Sequence, residues 1–174
     1  FQGDQKTADV ILSEGAPVVL RAAGAIEPYN TVQANSLILH DPQLPTVSLQ
    51  IVALAYNTKK LKKEDLPKSW EDVINPKYKG MVALDDPLRA GPLSGMLAGL
   101  KEYWKNDAKW TGYIKGLKAL NVTVHKSTSA MFRLLIAGEY SISMPALLHD
   151  VIEEKEKGSP VDFVKSAAPI ISAQ

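Results

Sequence analysis

The sequence predicts an α/β fold, a mostly parallel sheet flanked by helices, on three observations. Short apolar runs rich in β-branched residues alternate with segments of helical spacing along nearly the whole chain. Proline and glycine fall where that alternation needs them, with Pro92 in the first turn of one helical segment and Gly24 and Gly158 just past the ends of two others. A chain of 174 residues also buries roughly 70% of its unfolded surface, enough for a core without disulfide staples.

The elements follow in order. "TADVILS" (residues 7–13) is a short apolar strand that runs into Glu14-Gly15, and "GAPVVLRAAGAIEPY" is a short helix closed by Gly24 with Pro28 beyond it. "LHDPQLP" (39–45) is polar and proline-bearing, the best candidate boundary, and "TVSLQIVALAY" (46–56) is a longer strand closed by the polar "NTKK". In "PKSWEDVINPKYKG" (67–80), Ser69 caps a short helix carrying Glu71 and Asp72 at its positive end, Trp70 anchors it, and Pro76 and Gly80 set up the next strand. That strand is "GMVALDD" (80–86). A helix from Pro92 follows, then a second with Asp107 as N-cap, whose Trp110, Tyr113, Ile114, Leu117 and Leu120 recur at helical spacing. The remainder alternates strictly: strand "NVTVH", helix "STSAMFRLLIAG", strand "EYSISM", helix "ALLHDVIEEKEKG", strand "PVDFV".

Composition excludes several function classes. Twenty basic residues stand against 19 acidic ones, a formal net charge of +1, so no global field draws the chain to nucleic acid or to a membrane. The lysines at 59, 60, 62 and 63 are followed at once by Glu64 and Asp65, the pattern of a solvated face. Zero cysteines exclude disulfides, thiolate metal sites and a cysteine nucleophile. No apolar run reaches the roughly 18 to 20 residues of a membrane span, and no charged segment followed by an apolar one opens the chain. Its "FQG" start resembles the tail of an engineered protease site, so Phe1 to Gly3 are set aside.

The enzymatic motifs fare poorly. His40, His125 and His149 lack metal-ligand spacing, and "GPLSG" places its serine fourth rather than third, so the nucleophile-elbow geometry is absent. A triad of Ser94, His149 and Asp150 requires long-range convergence that any serine-rich chain could offer. Dinucleotide and P-loop glycine motifs are missing. What recurs is a strand ending in a loop of small or hydroxylated residues that starts a helix: "LSEGAP" with Ser13 and Glu14, "DDPLRAGPLSG" with Arg89, Ala90, Gly91 and Ser94, and "HKSTSA" with Ser127 and Thr128. Each helix start exposes unpaired N–H groups and the positive end of a dipole, worth about 0.3 to 1 kcal/mol to a nearby anion. Ser127 or Thr128 also serves as an ordinary cap of its own helix, and Arg89 is either a solvated side chain or an anion clamp. Trp70, Trp104 and Trp110 are expected to pack core.

"PKSWEDVINPKYKGMVALDDP" resembles the second-lobe signature of bacterial and archaeal ABC-importer solute-binding proteins, in particular the ferric-iron-type cluster and its thiamine, phosphonate and polyamine cousins. "TADVIL", "GAIEPY", "VALAYNTKKL", "STSAMFRLLIAGEYSISM" and "KGSPVDFV" fall in the family's order, so the resemblance spans nearly the whole chain. It implies a periplasmic-binding-protein type 2 fold: two α/β lobes joined by crossover strands that close on a ligand like a hinge. It further implies a fragment, with residues 1–44 a part of lobe one, 45–164 lobe two and 165–174 the return crossover. Glu14 falls where ferric-binding relatives place an iron-coordinating carboxylate, "PLRAGPLSG" matches a small-residue anion loop with Ala90 in place of a common serine, and Thr128 sits where some relatives use a polar anion contact.

The adjacent tyrosines that complete the iron site in such relatives correspond to Leu148 and His149 here. Without phenolates that type of site cannot form, which leaves a different ligand, or iron bound as a chelate or through Glu14, His149 and Asp150. Glu14 and His149 are the candidate metal ligands. The resemblance implies a non-enzymatic protein outside the cytoplasmic membrane, periplasmic or extracellular and associated with the cell surface, with no resident cofactor. Ferric iron or its chelate would be cargo, ABC permease subunits the partners, and nucleic acid no partner. The competing reading is the ligand-sensing effector domain of a regulator, and a hydrolase would require Ser94 beside His149.

Overall fold

In the computed structural model, which describes residues 20–27, 49–89, 91–165, 167 and 170–173, the chain divides into two units. Phe1–Leu49 with Ala173–Gln174 form one, and Gln50–Ser172 form the other. In the first unit the described residues end a helix as the glycine signal predicts. Gly24 takes φ 66°, its N–H donates to the Arg21 carbonyl at 3.0 Å and Ala25 N–H donates to the Leu20 carbonyl at 2.9 Å, the double bond of a Schellman cap. The predicted strand at 7–13 and the boundary at 39–45 lie outside the described residues.

The second unit is built on a sheet. Its strands are β1 (Leu49–Asn57), β2 (Val82–Asp85), β3 (Thr123–His125), β4 (Ile142–Leu147), β5 (Val161–Phe163) and β6 (Ile170–Ala173), and its helices are α1 (Pro92–Trp104), α2 (Asp107–Ala119), α3 (Thr128–Ala137) and α4 (Leu148–Glu156). The α/β class is borne out. The sheet is mixed rather than mostly parallel: along the order β3-β2-β4-β1-β5, β2 pairs in parallel with β3 and β4, whereas β1 runs antiparallel to β4 and β5. The parallel part comes from the helix-linked strands.

Two elements end differently from the sequence expectation. The strand predicted to stop at Met144 continues to Leu147, so the following helix starts at Leu148. Pro145, which suggested a break, is tolerated because β2 pairs with β4 only as far as Met144, and the β1 ladder slips between Ala53 and Ala55 at that point. The missing N–H thus falls where the ladder is already interrupted. At the start of α2 the cap is Asn106 rather than Asp107: the Asn106 side chain accepts from Lys109 N–H at 2.9 Å, and Asp107 is the first helical residue.

Helices cover both faces. Val52, Leu54, Tyr56, Val82, Leu84, Ile142 and Met144 join Met96 and Leu100 of α1, Tyr113 and Leu117 of α2, and Trp70, Val73 and Tyr78 of the β1–β2 connection in one core. Ala55, Ala146 and Val161 join Phe132 and Leu135 of α3 and Val151 of α4 in a second. The connection between β1 and β2 folds as short 3-10 turns. In it the Ser69 hydroxyl accepts from Asp72 N–H at 3.3 Å as expected, Trp70 is 4% exposed, and the buried Tyr78 donates its hydroxyl to the Asp65 carbonyl at 2.7 Å. Trp104 packs edge-on against Tyr113, and Trp110 donates its indole N–H to the Leu97 carbonyl at 3.1 Å.

Candidate functional site

Parallel pairing of β3, β2 and β4 brings their carboxyl ends to one edge of the sheet. Asp85 and His125 face each other there as a register pair, and β4 runs on to Leu147. Each of these strands hands the chain to a helix, so the N-termini of α1, α3 and α4 share that edge. In open α/β sheets this is where ligands bind, because loop donors and helix dipoles collect outside the strand ends.

The loop after β2 is held tightly. Leu88 N–H donates to the Asp86 carboxylate at 2.9 Å, Arg89 N–H to the Asp86 carbonyl at 3.2 Å, and Asp86 N–H to the His125 carbonyl at 3.0 Å. Arg89 is half exposed; its Nη1 donates to the Lys126 carbonyl and stands 3.8 Å from Asp85 Oδ1. The guanidinium has five N–H donors, so this leaves several for a ligand. Gly91 and Ser94 close the start of α1 on themselves: Ser94 Oγ accepts from Gly91 N–H at 3.2 Å and donates to the Gly91 carbonyl at 2.8 Å.

At α3, Ser127 acts as the cap, its hydroxyl accepting from Ala130 N–H at 3.2 Å. Thr128 donates its hydroxyl to Asp85 Oδ2 at 2.7 Å. The N–H groups of Thr128 and Ser129 meet no acceptor among the described residues. At α4, the cap position is Leu147, which offers no side-chain oxygen, and the exposed His149 pairs with the partly buried Asp150 at 3.2 Å between Nε2 and Oδ1.

The structure therefore joins Arg89 to Thr128 through Asp85, a residue that the sequence reading did not single out. Its signal was present in "ALDDP": an aspartate ending an apolar strand, with a second acidic residue and proline to turn the chain. Ser94 bonds within its own turn and His149 pairs with Asp150; no hydrogen bond joins Ser94 to His149 among the described residues. Ser13, Glu14 and Ala90 lie outside the described residues. Among those described, no group of three acidic or histidine side chains could hold a metal ion, and no helix is long and apolar enough to cross a membrane.

A family model for bacterial extracellular solute-binding proteins matches residues 5–166. The chain belongs to that family. The resemblance seen in "PKSWEDVINPKYKGMVALDDP" is thus borne out at family level, and with it the type 2 periplasmic-binding fold. An Fe(3+)-binding periplasmic protein of Serratia marcescens is 26% identical over 145 residues, which are 79% of this chain and 41% of that protein. An uncharacterized protein of Haemophilus influenzae is 28% identical over 152 residues, 81% of this chain and 43% of the relative.

Among solved structures, iron-bound HitA from Pseudomonas aeruginosa superimposes with a TM-score of 0.76 at 20% identity, covering 92% of this chain and 55% of HitA. The periplasmic binding protein AfuA from Actinobacillus pleuropneumoniae, with exogenous fructose-6-phosphate bound, gives 0.72 at 26% identity, covering 88% and 53%. The chain spans about half the length of these relatives, or less.

Proposed function

We propose that this chain is the ligand-holding part of the solute-binding component of an ABC importer, working in the periplasm or at the cell surface and capturing a small ligand of the iron type for a membrane permease. The observation that carries the reading is the shared carboxyl edge of β3, β2 and β4, where the N-termini of α1, α3 and α4 meet the partly free guanidinium of Arg89. Such an edge holds an anion without covalent chemistry, and the self-bonded Ser94 supports a binding role over a hydrolytic one. Capture would be completed by closure of a second lobe, after which the closed form presents its cargo to the permease.

The Serratia relative supports iron as cargo. Leu148 and His149 stand where the resemblance expects tyrosines, so the iron would arrive already wrapped in an anionic chelator, with His149 as a further ligand. A second reading is a sugar phosphate. The bound ligand of AfuA supports it, and so does the partly exposed His149–Asp150 pair, a donor–acceptor set suited to sugar hydroxyls.

A thermal-shift panel on the full-length protein tests both readings, with ferric chloride, ferric citrate, fructose 6-phosphate, thiamine, a phosphonate and a polyamine. A ligand at 100 times its Kd adds about 2.7 kcal/mol by linkage, a shift of several degrees. Response to ferric citrate supports the first reading and response to fructose 6-phosphate the second, whereas thiamine or polyamine alone would overturn both. Ferric chloride should give no phenolate-to-iron charge-transfer band; an intense one would overturn the assignment of Leu148 and His149.

A further inference from the structure

Asp85 ends β2 with 3% exposure, so a ligand at the sheet edge does not reach it. Its contacts nevertheless join two segments, the β2–α1 loop and the start of α3. Oδ2 accepts from the Thr128 hydroxyl at 2.7 Å, Oδ1 accepts from Asp86 N–H at 2.9 Å, and Oδ1 faces Arg89 Nη1 at 3.8 Å while that same nitrogen donates to the Lys126 carbonyl. Burying a carboxylate costs several kcal/mol of desolvation, and a strand end is more stably filled by an apolar side chain. A carboxyl group placed here has a geometric use.

We propose that Asp85 is the positioning residue of the ligand site. It fixes the first residue of α3 and the guanidinium of the β2–α1 loop in one arrangement, so that the N–H groups of Thr128 and Ser129, without an acceptor among the described residues, and the remaining Arg89 donors address a single anionic group. The Thr128 hydroxyl proton is committed to Asp85, so Thr128 serves an anion through its backbone N–H and its hydroxyl acts only as the tether. This inference rests on the anionic-ligand reading of the edge given above.

The test compares the wild-type full-length protein with Asp85→Asn, Asp85→Ala, Thr128→Val and Thr128→Ser. Each is titrated calorimetrically with ferric citrate and with fructose 6-phosphate, and amide hydrogen exchange is followed without ligand. Asp85→Ala and Thr128→Val should weaken the probe that binds by roughly 10- to 100-fold, the range of one charge-assisted hydrogen bond. Thr128→Ser, which keeps the hydroxyl, should stay within about threefold of wild type. Asp85→Asn still accepts from Thr128 but no longer attracts Arg89; it should fall between, with a weaker dependence of affinity on salt. Without ligand, Asp85→Ala should speed exchange at Ala130 and Met131, whose N–H groups bond to Ser127, and leave β1 unchanged.

An Asp85→Ala protein that binds like wild type would overturn the proposal, as would a Thr128→Ser protein as weak as Thr128→Val. If Asp85→Ala does not fold, Asp85→Asn and the Thr128 pair decide by the same criteria. A wild type that binds neither probe overturns the anionic reading of the edge instead; the positioning role is then judged by exchange alone, and unchanged rates at Ala130 and Met131 overturn it.

Discussion

On one face of the sheet, Val52, Leu54, Tyr56, Val82, Leu84, Ile142 and Met144 stand against α1 and α2; on the other, strand alternation turns Ala53, Ala55, Ala83 and Ser143 toward α3 and α4. Large side chains supply buried apolar area, at roughly 25 cal/mol per Å². Small ones supply little area but let helix backbones approach the sheet, so that the sheet itself fixes where those helices lie. The helix that carries Ser127, Thr128 and the N–H groups of its first turn is on the small-residue face. Stability and site geometry are thus assigned largely to opposite faces.

The sharpest way to break that division is to empty the first face. Leu54 is fully buried at the centre of the large-residue core. Leu54→Ala should cost about 3 kcal/mol in urea unfolding, through lost transfer energy and the cavity left behind. Its ligand affinity should stay within about twofold, because additive sites do not share their energy. A tenfold loss of affinity would show that the faces are not separate.

Overfilling the second face tests the converse. Ala55 is fully buried with Phe132 and Leu135 of α3. Ala55→Leu should cost about 2 kcal/mol by pushing α3 away from the sheet. Unlike Leu54→Ala it should also weaken ligand binding, since α3 carries its N-terminus with it. Equal affinity in the two variants would remove the functional meaning of the small residues.

What the sequence disclosed, and what it withheld, follows the range of the interactions. Ser127, Pro92 and Gly24 act on their own turns, and those helix ends were legible for that reason. The choice between Asn106 and Asp107 was not, because adjacent residues of equal capping strength differ only by register. Asp85 and Asn57 stayed hidden because their partners are distant in sequence. Thr128 is 43 positions from Asp85, and Leu135, whose carbonyl at the end of α3 accepts from the buried Asn57 amide at 2.8 Å, is 78 positions away. A polar residue at the end of an apolar strand looks like a turn until the fold supplies its partner. The family was legible because its punctuation is local; the ligand was not, because it depends on side chains brought together only by the sheet.

A gentler probe uses Ser143 of β4, fully buried between Ala83 and Ala55, whose hydroxyl has no hydrogen-bond partner among the described residues. Removing an unpaired buried hydroxyl while keeping the small volume should help. Ser143→Ala is expected to raise stability by about 1 kcal/mol without moving ligand affinity. A loss of stability would mean that the hydroxyl has a bound partner, such as a buried water.

The smallest effect separates two ion pairs at the margins of the faces. Burial pushes the Asp162 carboxyl up, but the hydrogen bond from Lys155, the Phe163 N–H and the charges of Lys155 and Lys165 outweigh it and hold it below its ordinary 3.8. For Glu71 likewise, burial raises the carboxyl while Lys109 and neighbouring donors bring it below 4.5. A depressed carboxyl stabilises the fold above its unfolded pKa, and that stability is lost as pH falls through the lower folded value. In each pair the lysine is about half exposed, with Glu71 38% and Asp162 15% exposed, so each carboxyl should contribute no more than about 1 kcal/mol. Lys155→Met and Lys109→Met should each flatten the fall in urea midpoint below about pH 4. Lys109 also lies over the Trp104 ring at 4.8 Å, so Lys109→Met alone should carry a further, pH-independent loss. Equal losses at pH 7 would place the two pairs in equivalent surroundings and leave the aromatic contact without weight.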